Sequence, residues 1–393
     1  MEKMKLVKNG LVLDSQKGFE VNDILIAGGK IAKIGKNIEV SETDYEVLNA
    51  EGFYVVPGFI DVHMHGAAGV DIIKADPGRL NELSLFLASK GVTSFLATVM
   101  TDSRENICRA VENIRLAVER GLDGAKIAGI NLEGPFINPK YRGAHPPEYI
   151  LEPDVKLIDE LVEKSGNNIK LVTAAPELDK IEEIIRKFKE DIIFSAGHSG
   201  VDFAGAKEAF KNGFKHVTHL FNAMTGIHHR EPGLAGAALD SDDVTVEIIP
   251  DLIHVHGAVI QMVVKCKTPD RVVLVTDSIL AAGLGEGKLE FAESMITVKD
   301  GAAVFENGVL AGSTITMADG IGNMVKKLGF SLEDTIKMAS TNPAKLINIF
   351  DRKGSLSEGK DADIVILDRS LNIHETIIQG ITVYSTFPYP QSR

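Results

Sequence analysis

The stretch VVPGFID at residues 55–61 is the first of eight apolar runs that decide the fold. Runs of this kind are typical of buried strands, and stretches with the apolar spacing of helices lie between them. This alternation indicates βα units that build a parallel sheet. The other seven runs lie at residues 93–98, 126–132, 170–174, 193–197, 215–219, 244–249 and 272–276, and the helical stretches at 79–90, 103–120, 153–164, 179–189, 203–212 and 257–265.

Eight such repeats predict an α/β fold, a closed (β/α)8 barrel of the TIM type. An open doubly wound sheet is the structural alternative. Its nucleotide-binding version is disfavoured because no GxGxxG motif opens an early helix. The stretch GLGEGK at 283–288 lacks the Ser/Thr and the following helix of a phosphate-binding loop, so we interpret it as a turn.

The two ends of the chain share a β character that the middle lacks. Short strand-like segments, with Gly28 and Gly29 at a hairpin position, precede the barrel, and others follow it. We expect residues 1–54 and 354–393 to form one small β-sandwich-like domain and residues 55–353 to form the barrel. The barrel is expected to carry a β-rich insertion at about 287–312, followed by helices at 317–328, 332–340 and 343–349.

Composition limits the classes of partner. The 393 residues are 44% hydrophobic and 25% charged, and no apolar run reaches the length of a membrane span. A formal charge of −13 disfavours nucleic acid and anionic membranes, since both need a basic footprint. The isolated Cys108 and Cys266 and the absence of an export signal lead us to expect reduced thiols and a cytoplasmic protein.

Acidic and imidazole side chains follow five of the predicted strands. Asp61, His63 and His65 alternate at the end of the first strand and therefore share a face. Taken alone, the HxH motif fits a metal site and two histidines on a solvated loop equally well. The other strand ends carry Glu133, His198, His219 and Asp277. Because catalytic groups gather at the carboxyl ends of barrel strands, these residues are predicted to converge on one site.

Imidazole and carboxylate groups are ligands of Zn²⁺, Fe²⁺ and similar ions, and a catalytic site keeps a position open for water. A metal ion lowers the pKa of such a water to about 7. A free carboxylate beside the water then accepts its proton, and Asp277, without a second histidine beside it, suits this role. The residue types thus predict metal-dependent hydrolysis.

The motifs NLEGPFI, GAHPPE, GHS, THLFNAM, REPGLAGAAL, LVTDS and AGSTITM extend through nearly the whole chain. With HMH they resemble the amidohydrolase superfamily, and within it the enzymes that deacetylate phosphorylated amino sugars. The resemblance implies hydrolysis of N-acetylglucosamine 6-phosphate to glucosamine 6-phosphate and acetate, in amino-sugar catabolism and cell-wall sugar recycling. Related cyclic amidases use a carboxylated lysine on strand four, but Lys170 lies only at the start of that strand, so Glu133 is the better bridging residue.

The resemblance also implies a set of ligands. Glu133, His198 and His219 would hold a principal divalent ion, zinc or iron, and His63 and His65 would add a second ion that shares Glu133, giving one or two ions per subunit. Asp277 would be the general base and acid. His145, with Ala144 beside it, would contact the substrate and steady the developing oxyanion.

By the same resemblance, a phosphate site and a sugar pocket surround these groups. The phosphate would be bound by Asn222, the backbone of Ala223, Arg230 and His254, and the sugar pocket would be lined by Asp251, Leu310, Ala311, Gly312 and Ser313. Arginine suits phosphate because its planar fork donates two hydrogen bonds. A homodimer, in which a partner subunit supplies one or more of these residues, is also implied.

Two other functions stay open on the sequence. A cyclic amidase or imidase would not need Arg230 and His254 at a phosphate, and a non-catalytic sugar-phosphate binder would gain nothing from Asp277. His216 is out of phase with His219 and is interpreted as structural. His228 and His229 are either binding or surface residues, and His256 and His374 are interpreted as ordinary histidines.

Overall fold

The computed structural model describes residues 4–14, 17–40 and 45–387. The strands are β1 (Met4–Asp14), β2 (Gly18–Ala27), β3 (Lys30–Gly35), β4 (Tyr45–Asn49), β5 (Tyr54–Pro57), β6 (Phe59–Asp61), β7 (Gly66–Ala67), β8 (Val70–Asp71), β9 (Val92–Met100), β10 (Lys126–Glu133), β11 (Ile169–Ala174), β12 (Ile193–Ala196), β13 (Phe214–Val217), β14 (Thr245–Ile248), β15 (Val272–Leu274), β16 (Gly287–Phe291), β17 (Ser294–Lys299), β18 (Ala302–Phe305), β19 (Leu310–Ser313), β20 (Ile364–Leu367), β21 (Ile373–Ile378) and β22 (Ile381–Ser385).

The α-helices are α1 (Pro77–Ser89), α2 (Arg104–Arg120), α3 (Val155–Lys164), α4 (Ile181–Phe188), α5 (Phe203–Asn212), α6 (Gly233–Leu239), α7 (Gly257–Lys267), α8 (Met317–Gly322), α9 (Leu332–Ile336) and α10 (Asn342–Leu346). Short 3₁₀ turns lie at Pro139–Tyr141, Pro147–Tyr149 and Pro269–Arg271, and π-helical turns at Asn323–Lys327 and Lys337–Thr341. In the described ranges, none of the helices has both the length and the apolar character to cross a membrane.

Eight strands form the parallel sheet, in the order β15, β14, β13, β12, β11, β10, β9, β6. The two ends of this sheet meet through backbone hydrogen bonds, because Asp277 N–H donates to the carbonyl of His63 at 2.9 Å and His65 N–H to that of Ser278 at 2.7 Å. The predicted (β/α)8 barrel is therefore confirmed. Its closure joins the first and last strands at the end where the chemistry-bearing residues lie.

The barrel interior is divided into an apolar floor and a polar upper half. One buried apolar cluster forms the floor. Ala344 in α10 and Ile347 just after it lie across the bottom of the barrel and pack with the strand residues Ile60, Leu96, Leu171 and Val273. Above them, Asn131, Thr173, Ser195, Thr218 and Glu247 are buried among the strands. The floor supplies hydrophobic stability, and the upper half is the setting of the site.

A second sheet is built from both ends of the chain. Its order is β22, β21, β20, β5, β1, β2, β3, with β4 pairing in parallel with β1. Gly28 and Gly29 form the predicted hairpin, with positive φ at both residues, between the paired Ala27 and Lys30. Strand β21 was not predicted. The separate sheet-rich terminal domain is as expected.

The predicted single strand at 55–61 is wrong. The chain runs in the terminal sheet as β5, where Pro57 pairs with Ile364, and then enters the barrel as β6. The change of sheet occurs at Gly58, where a Cβ would lie 2.2 Å from Thr93 Oγ1. Hydrophobicity did not reveal the break, because both halves are fully buried.

The segment after β15 contains a four-stranded antiparallel sheet in the order β16, β17, β18, β19. Its apolar side chains Phe291, Ile296 and Ala311 pack on Met100 and Ile279 at the mouth of the barrel. This small sheet forms one wall of the site.

Candidate active site

The side chains predicted to carry the chemistry all lie at the carboxyl ends of barrel strands. His63 and His65 follow β6, Glu133 is the last residue of β10, His198 follows β12, and His219 follows β13. Asp277 follows β15. Each of these side chains has a ring nitrogen or carboxylate oxygen within hydrogen-bonding or ion-pair distance of at least one other, and all of them are buried.

Glu133, His198 and His219 form the first cluster. The Nε2 atoms of His198 and His219 each lie 3.0 Å from Glu133 Oε1 and 3.0 Å from each other. Protein ligands of zinc bind at about 2.0–2.2 Å, which places neighbouring ligand atoms roughly 3 Å apart. The triangle of these three atoms therefore has the dimensions of a metal site.

His63, His65 and Glu133 form the second cluster. His65 Nε2 lies 3.1 Å from Glu133 Oε2, and His63 Nε2 lies 3.3 Å from Glu133 Oε1. Asp277 Oδ1 is 3.3 Å from His65 Nε2 and 3.6 Å from His63 Nε2. Glu133 belongs to both groups that have the spacing of metal ligands.

The two clusters and Asp277 fit the binding of a divalent ion better than a hydrogen-bond network that needs no ion. The ion-pair partners found for Glu133 and Asp277 in the described ranges are imidazoles, none of them lysine or arginine. His63 Nε2 is buried and has no hydrogen-bond partner among the described residues, although it is aimed at these carboxylates. Buried carboxylates and a ring nitrogen left without a partner are costly unless a cation binds between them.

Hydrogen bonds on the far side of the rings fix the tautomers that metal ligation needs. The ring N–H of His198 at Nδ1 donates to the carbonyl of Tyr141 at 2.8 Å, which leaves Nε2 as the ligand atom. His63 Nδ1 lies 2.9 Å from Glu247 Oε2, with the same consequence. These tautomers are assigned from the partners of each nitrogen.

Three of the site residues have left-handed backbone conformations. The φ angles are 47° at His198, 29° at His219 and 48° at Asp277. Non-glycine residues rarely adopt positive φ, and such strain is concentrated at functional sites. The turn that follows each strand thus directs the side chain away from the strand's alternation and toward the common centre.

The electrostatics keep both acids ionised. Burial alone would raise the pKa of Glu133, but the His63 and His145 imidazoles and the hydrogen bonds to it outweigh burial and hold that pKa well below its usual range. The pKa of Asp277 is lowered for the same kind of reason, through His63 and His65 against burial. Both side chains are therefore available as carboxylates at neutral pH.

The imidazoles differ in the metal-free protein. Burial and, next, the neighbouring His145 lower the pKa of His198 to about 4. For His65 burial acts in that direction too, but Asp277 and Glu133 outweigh it and raise its pKa to about 9. The first cluster thus already holds His198 in the neutral form that ligates a metal.

A cavity of about 470 Å³ opens above the two clusters. His145 lines it and its Nε2 lies 3.2 Å from Glu133 Oε2. Of the residues implied for substrate binding, those that line the cavity are Ala144, His145, Asn222, Ala223, His254, Leu310, Ala311 and Gly312. The structure therefore places most of that set beside the two clusters.

Arg230, Asp251 and Ser313 do not line this cavity in the single chain. Arg230 is exposed and its Nη1 lies 2.7 Å from His229 Nε2. Asp251 lies behind His254, whose Nδ1 is 2.6 Å from Asp251 Oδ2. Ser313 is buried, and its N–H donates to the carbonyl of Asp277 at 2.9 Å. The last two residues support the walls of the cavity rather than form them.

Sequence reasoning missed Glu247, Tyr141 and Lys140. Glu247 is fully buried on β14 and contacts His63 and His216. The signal was present, since VTVEII has one acid in a stretch that is apolar apart from Thr245. The carbonyl of Tyr141 and the cavity-lining Lys140 lie in a loop without a recognisable pattern. His216, as expected, belongs to neither cluster, but it faces Glu247 inside the barrel.

Comparison with known proteins agrees with this geometry. The model of the amidohydrolase family matches residues 54–383, and the chain belongs to this family. A Bacillus subtilis relative named N-acetylglucosamine-6-phosphate deacetylase is 38% identical over 97% of each chain. An Escherichia coli O157:H7 relative named N-acetylgalactosamine-6-phosphate deacetylase is 35% identical over 94% of this chain and 96% of its own.

Solved structures show the same relationship. A mutant N-acetyl-D-glucosamine-6-phosphate deacetylase from Mycobacterium smegmatis, in complex with N-acetyl-D-glucosamine-6-phosphate, is 28% identical with a TM-score of 0.90. The match covers 98% of this chain and 100% of that chain.

Proposed function

We propose that this chain catalyses the metal-dependent hydrolysis of N-acetyl-D-glucosamine 6-phosphate to D-glucosamine 6-phosphate and acetate. The observation that carries the proposal is the convergence of Glu133, His198 and His219 with Asp277 beneath one cavity. Full-length relatives that bear the name of this deacetylase support the choice of substrate.

Glu133, His198 and His219 would hold the principal ion, and His63 and His65, with Glu133, a second one. When bound, a zinc or iron(II) ion at these ligands polarises the acetamide carbonyl and lowers the pKa of water to about 7. These two metals are proposed because imidazole and carboxylate ligands suit both.

Asp277 moves the proton. Its carboxylate accepts a proton from the water that attacks the acetamide carbon and then returns it to the amine nitrogen as the C–N bond breaks. The products are acetate and the free amine of the sugar. The depressed pKa of Asp277 keeps the basic form available before the attack.

His145 stabilises the charge that develops on the acetamide oxygen. Its ring lies in the cavity, with Nε2 3.2 Å from Glu133 Oε2, and within the described ranges its buried Nδ1 has no hydrogen-bond partner. A ring N–H placed at a developing oxyanion lowers the barrier electrostatically.

The phosphate end of the substrate would be bound by Asn222, the Ala223 N–H, His254 and Arg230, with Leu310, Ala311 and Gly312 against the sugar. Because Arg230 is exposed and does not line the cavity of its own chain, we propose that the chain forms a homodimer in which Arg230 serves the partner's site. We also propose that the enzyme acts in the cytoplasm, since both cysteines are free.

The C4 epimer is a second candidate substrate. The N-acetylgalactosamine-6-phosphate deacetylase relative is nearly as similar as the N-acetylglucosamine-6-phosphate relatives. Both epimers carry the same acetamide and phosphate, so the metal ligands and Asp277 would act identically on them. Discrimination would depend on the residues that line the sugar pocket.

The decisive experiment is a comparison of kcat/KM for acetate release from the two 6-phosphates and from unphosphorylated N-acetylglucosamine, with kcat/KM for ring opening of a hydantoin. Preference for N-acetylglucosamine 6-phosphate supports the proposal. Preference for the galacto epimer replaces the substrate but keeps the reaction. Turnover of the hydantoin alone would make the protein a cyclic amidase, and binding of the phosphosugar without turnover by metal-loaded protein would make it a binder.

A further inference from the structure

Glu247 is a buried carboxylate that lies on the far side of the candidate metal ligands. It is 0% exposed and sits on β14, with its side chain inside the barrel. Its Oε2 lies 2.9 Å from His63 Nδ1 and accepts a hydrogen bond from the backbone N–H of His219, also at 2.9 Å. Its Oε1 lies 3.1 Å from His216 Nε2.

These contacts satisfy an ionised Glu247 with three N–H donors. His216 donates from Nε2, because the ionised Glu247 can only accept, and its Nδ1 lies 2.6 Å from the Thr245 hydroxyl. His63 must then donate from Nδ1, since Glu247 has no proton to offer. The Nε2 of His63 consequently keeps its lone pair.

That lone pair of His63 Nε2 points toward the carboxylates of Glu133 and Asp277. In the part of the chain that the structure describes, His63 Nε2 has no hydrogen-bond partner, and it lies 3.3 Å from Glu133 Oε1 and 3.6 Å from Asp277 Oδ1. Without Glu247, the Nδ1 and Nε2 tautomers of His63 would compete, and the ring would be free to turn. A carboxylate behind a ligating histidine fixes the tautomer and makes the ring nitrogen more basic.

We propose that Glu247 is a positioning residue that makes His63 the ligand of a second divalent ion, and thereby gives this chain a two-ion site. Its contact with the first cluster is through the His219 backbone N–H alone, so the first ion depends on it less. The inference rests on the proposed metal-dependent function, but it concerns Zn²⁺ binding rather than turnover.

The test is a calorimetric titration of metal-free protein with Zn²⁺, with elemental analysis after gel filtration. Wild-type protein should bind two ions per chain. Glu247→Gln keeps the shape and one acceptor oxygen but removes the charge, so the second Zn²⁺ should bind about 10- to 100-fold more weakly while the first is retained. His63→Gln should bind only the first ion, and adding Glu247→Gln to it should change that ion's affinity little.

Two further variants separate positioning from general stability. Glu375→Gln is a matched control, because Glu375 is a buried acid of the terminal sheet, bonded to Thr382 and Ser385. It should leave both ions bound. His216→Gln keeps the Glu247 carboxylate but changes the hydrogen-bond donor to its Oε1, so it should weaken binding of the second ion less than Glu247→Gln does. It also serves as the test if Glu247→Gln does not fold.

Three results would overturn the proposal. The first is a single Zn²⁺ in wild-type protein. The second is unchanged affinity for the second ion in Glu247→Gln, or in His216→Gln where that variant stands alone. The third is equal weakening of both ions, which would assign Glu247 to the structure of the barrel as a whole. An inactive protein that shows the expected binding would contradict the proposed deacetylation but not this inference.

Discussion

At the scale of single residues, the site separates one carboxylate that binds from another that reacts. Glu133 is surrounded by His63, His65, His198 and His219 and has both oxygens engaged. Among the described residues, the ion-pair partners of the Asp277 carboxylate are the two histidines of the second cluster, and Asp277 lines the cavity. Its partial contact with the ligands is what leaves Asp277 free to transfer a proton.

We therefore expect Asp277→Asn to lower kcat by about 10²- to 10⁴-fold, the usual contribution of general acid–base catalysis. The amide cannot accept the proton from water, while Glu133, His198 and His219 still hold the principal ion. Steady-state kinetics together with elemental analysis check this. A variant that keeps its metal and turns over within a few-fold of wild type would remove Asp277 from the mechanism.

His254 gives the substrate site a dependence on pH. Burial lowers its pKa, but the hydrogen bond and charge of Asp251 outweigh burial, so the pKa is raised above its ordinary value of 6.5. The ring is therefore a cation below that raised pKa and neutral above it. Since His254 lines the cavity, a bound phosphate should lose a charged donor as the pH rises through this pKa.

We expect KM for the phosphosugar to rise through that range by about tenfold, as a charge-assisted hydrogen bond is weakened. A pH profile of KM measures this, and His254→Gln is the control because it should have a high KM without the alkaline rise. The same rise with unphosphorylated N-acetylglucosamine would contradict a role of His254 at the phosphate.

At the scale of elements, the sequence was sufficient to predict the barrel strands, but it was not sufficient to predict the backbone conformation at their ends. The eight apolar runs were recognisable because most residues of the barrel strands are buried, on both faces of the sheet. The alternation rule failed at His219, which lies two residues beyond β13 and has a positive φ. The acid in VTVEII singled out Glu247, but its role was missed because its partners follow or belong to other strands, which no local pattern shows.

The change of sheet at Gly58, between β5 and β6, was not predicted from the sequence. A Cβ there would meet Thr93 Oγ1, Cγ2 and Cβ at 2.2, 2.3 and 2.7 Å, and Thr93 is buried and branched. Gly58→Ala should therefore cost about 1–3 kcal/mol of unfolding free energy, as overpacking does. Gly35→Ala is the matched control, since no described residue other than its chain neighbours lies within 4 Å of its added Cβ.

Thermal or denaturant unfolding of the two variants measures the difference. Equal stability of both would show that the passage from β5 to β6 tolerates a side chain. The segment matters for function as well, because β6 leads directly to His63 and His65.

At the scale of the whole molecule, a chain of charge −13 must still attract a phosphate. The cavity of a single chain offers Lys140 and His254 as its cationic or potentially cationic groups away from the metal ligands and His145. Arg230, the residue best suited to a phosphate, lies exposed on the loop between β13 and α6. A second copy of the chain would bring this guanidinium to a cavity that needs it.

This arrangement has a consequence that mixing of subunits can measure. In a heterodimer of Asp277→Asn and Arg230→Ala chains, the Arg230→Ala subunit keeps its own Asp277 and would receive Arg230 from its partner, so one of the two sites should regain wild-type kcat/KM for the phosphosugar. If Arg230 instead serves its own chain, each site of the mixture contains one defect and no activity returns. Co-refolded or co-expressed mixtures distinguish the two cases when their activity is compared with that of each variant alone at the same total concentration. Light scattering that shows a monomer would exclude the shared site altogether.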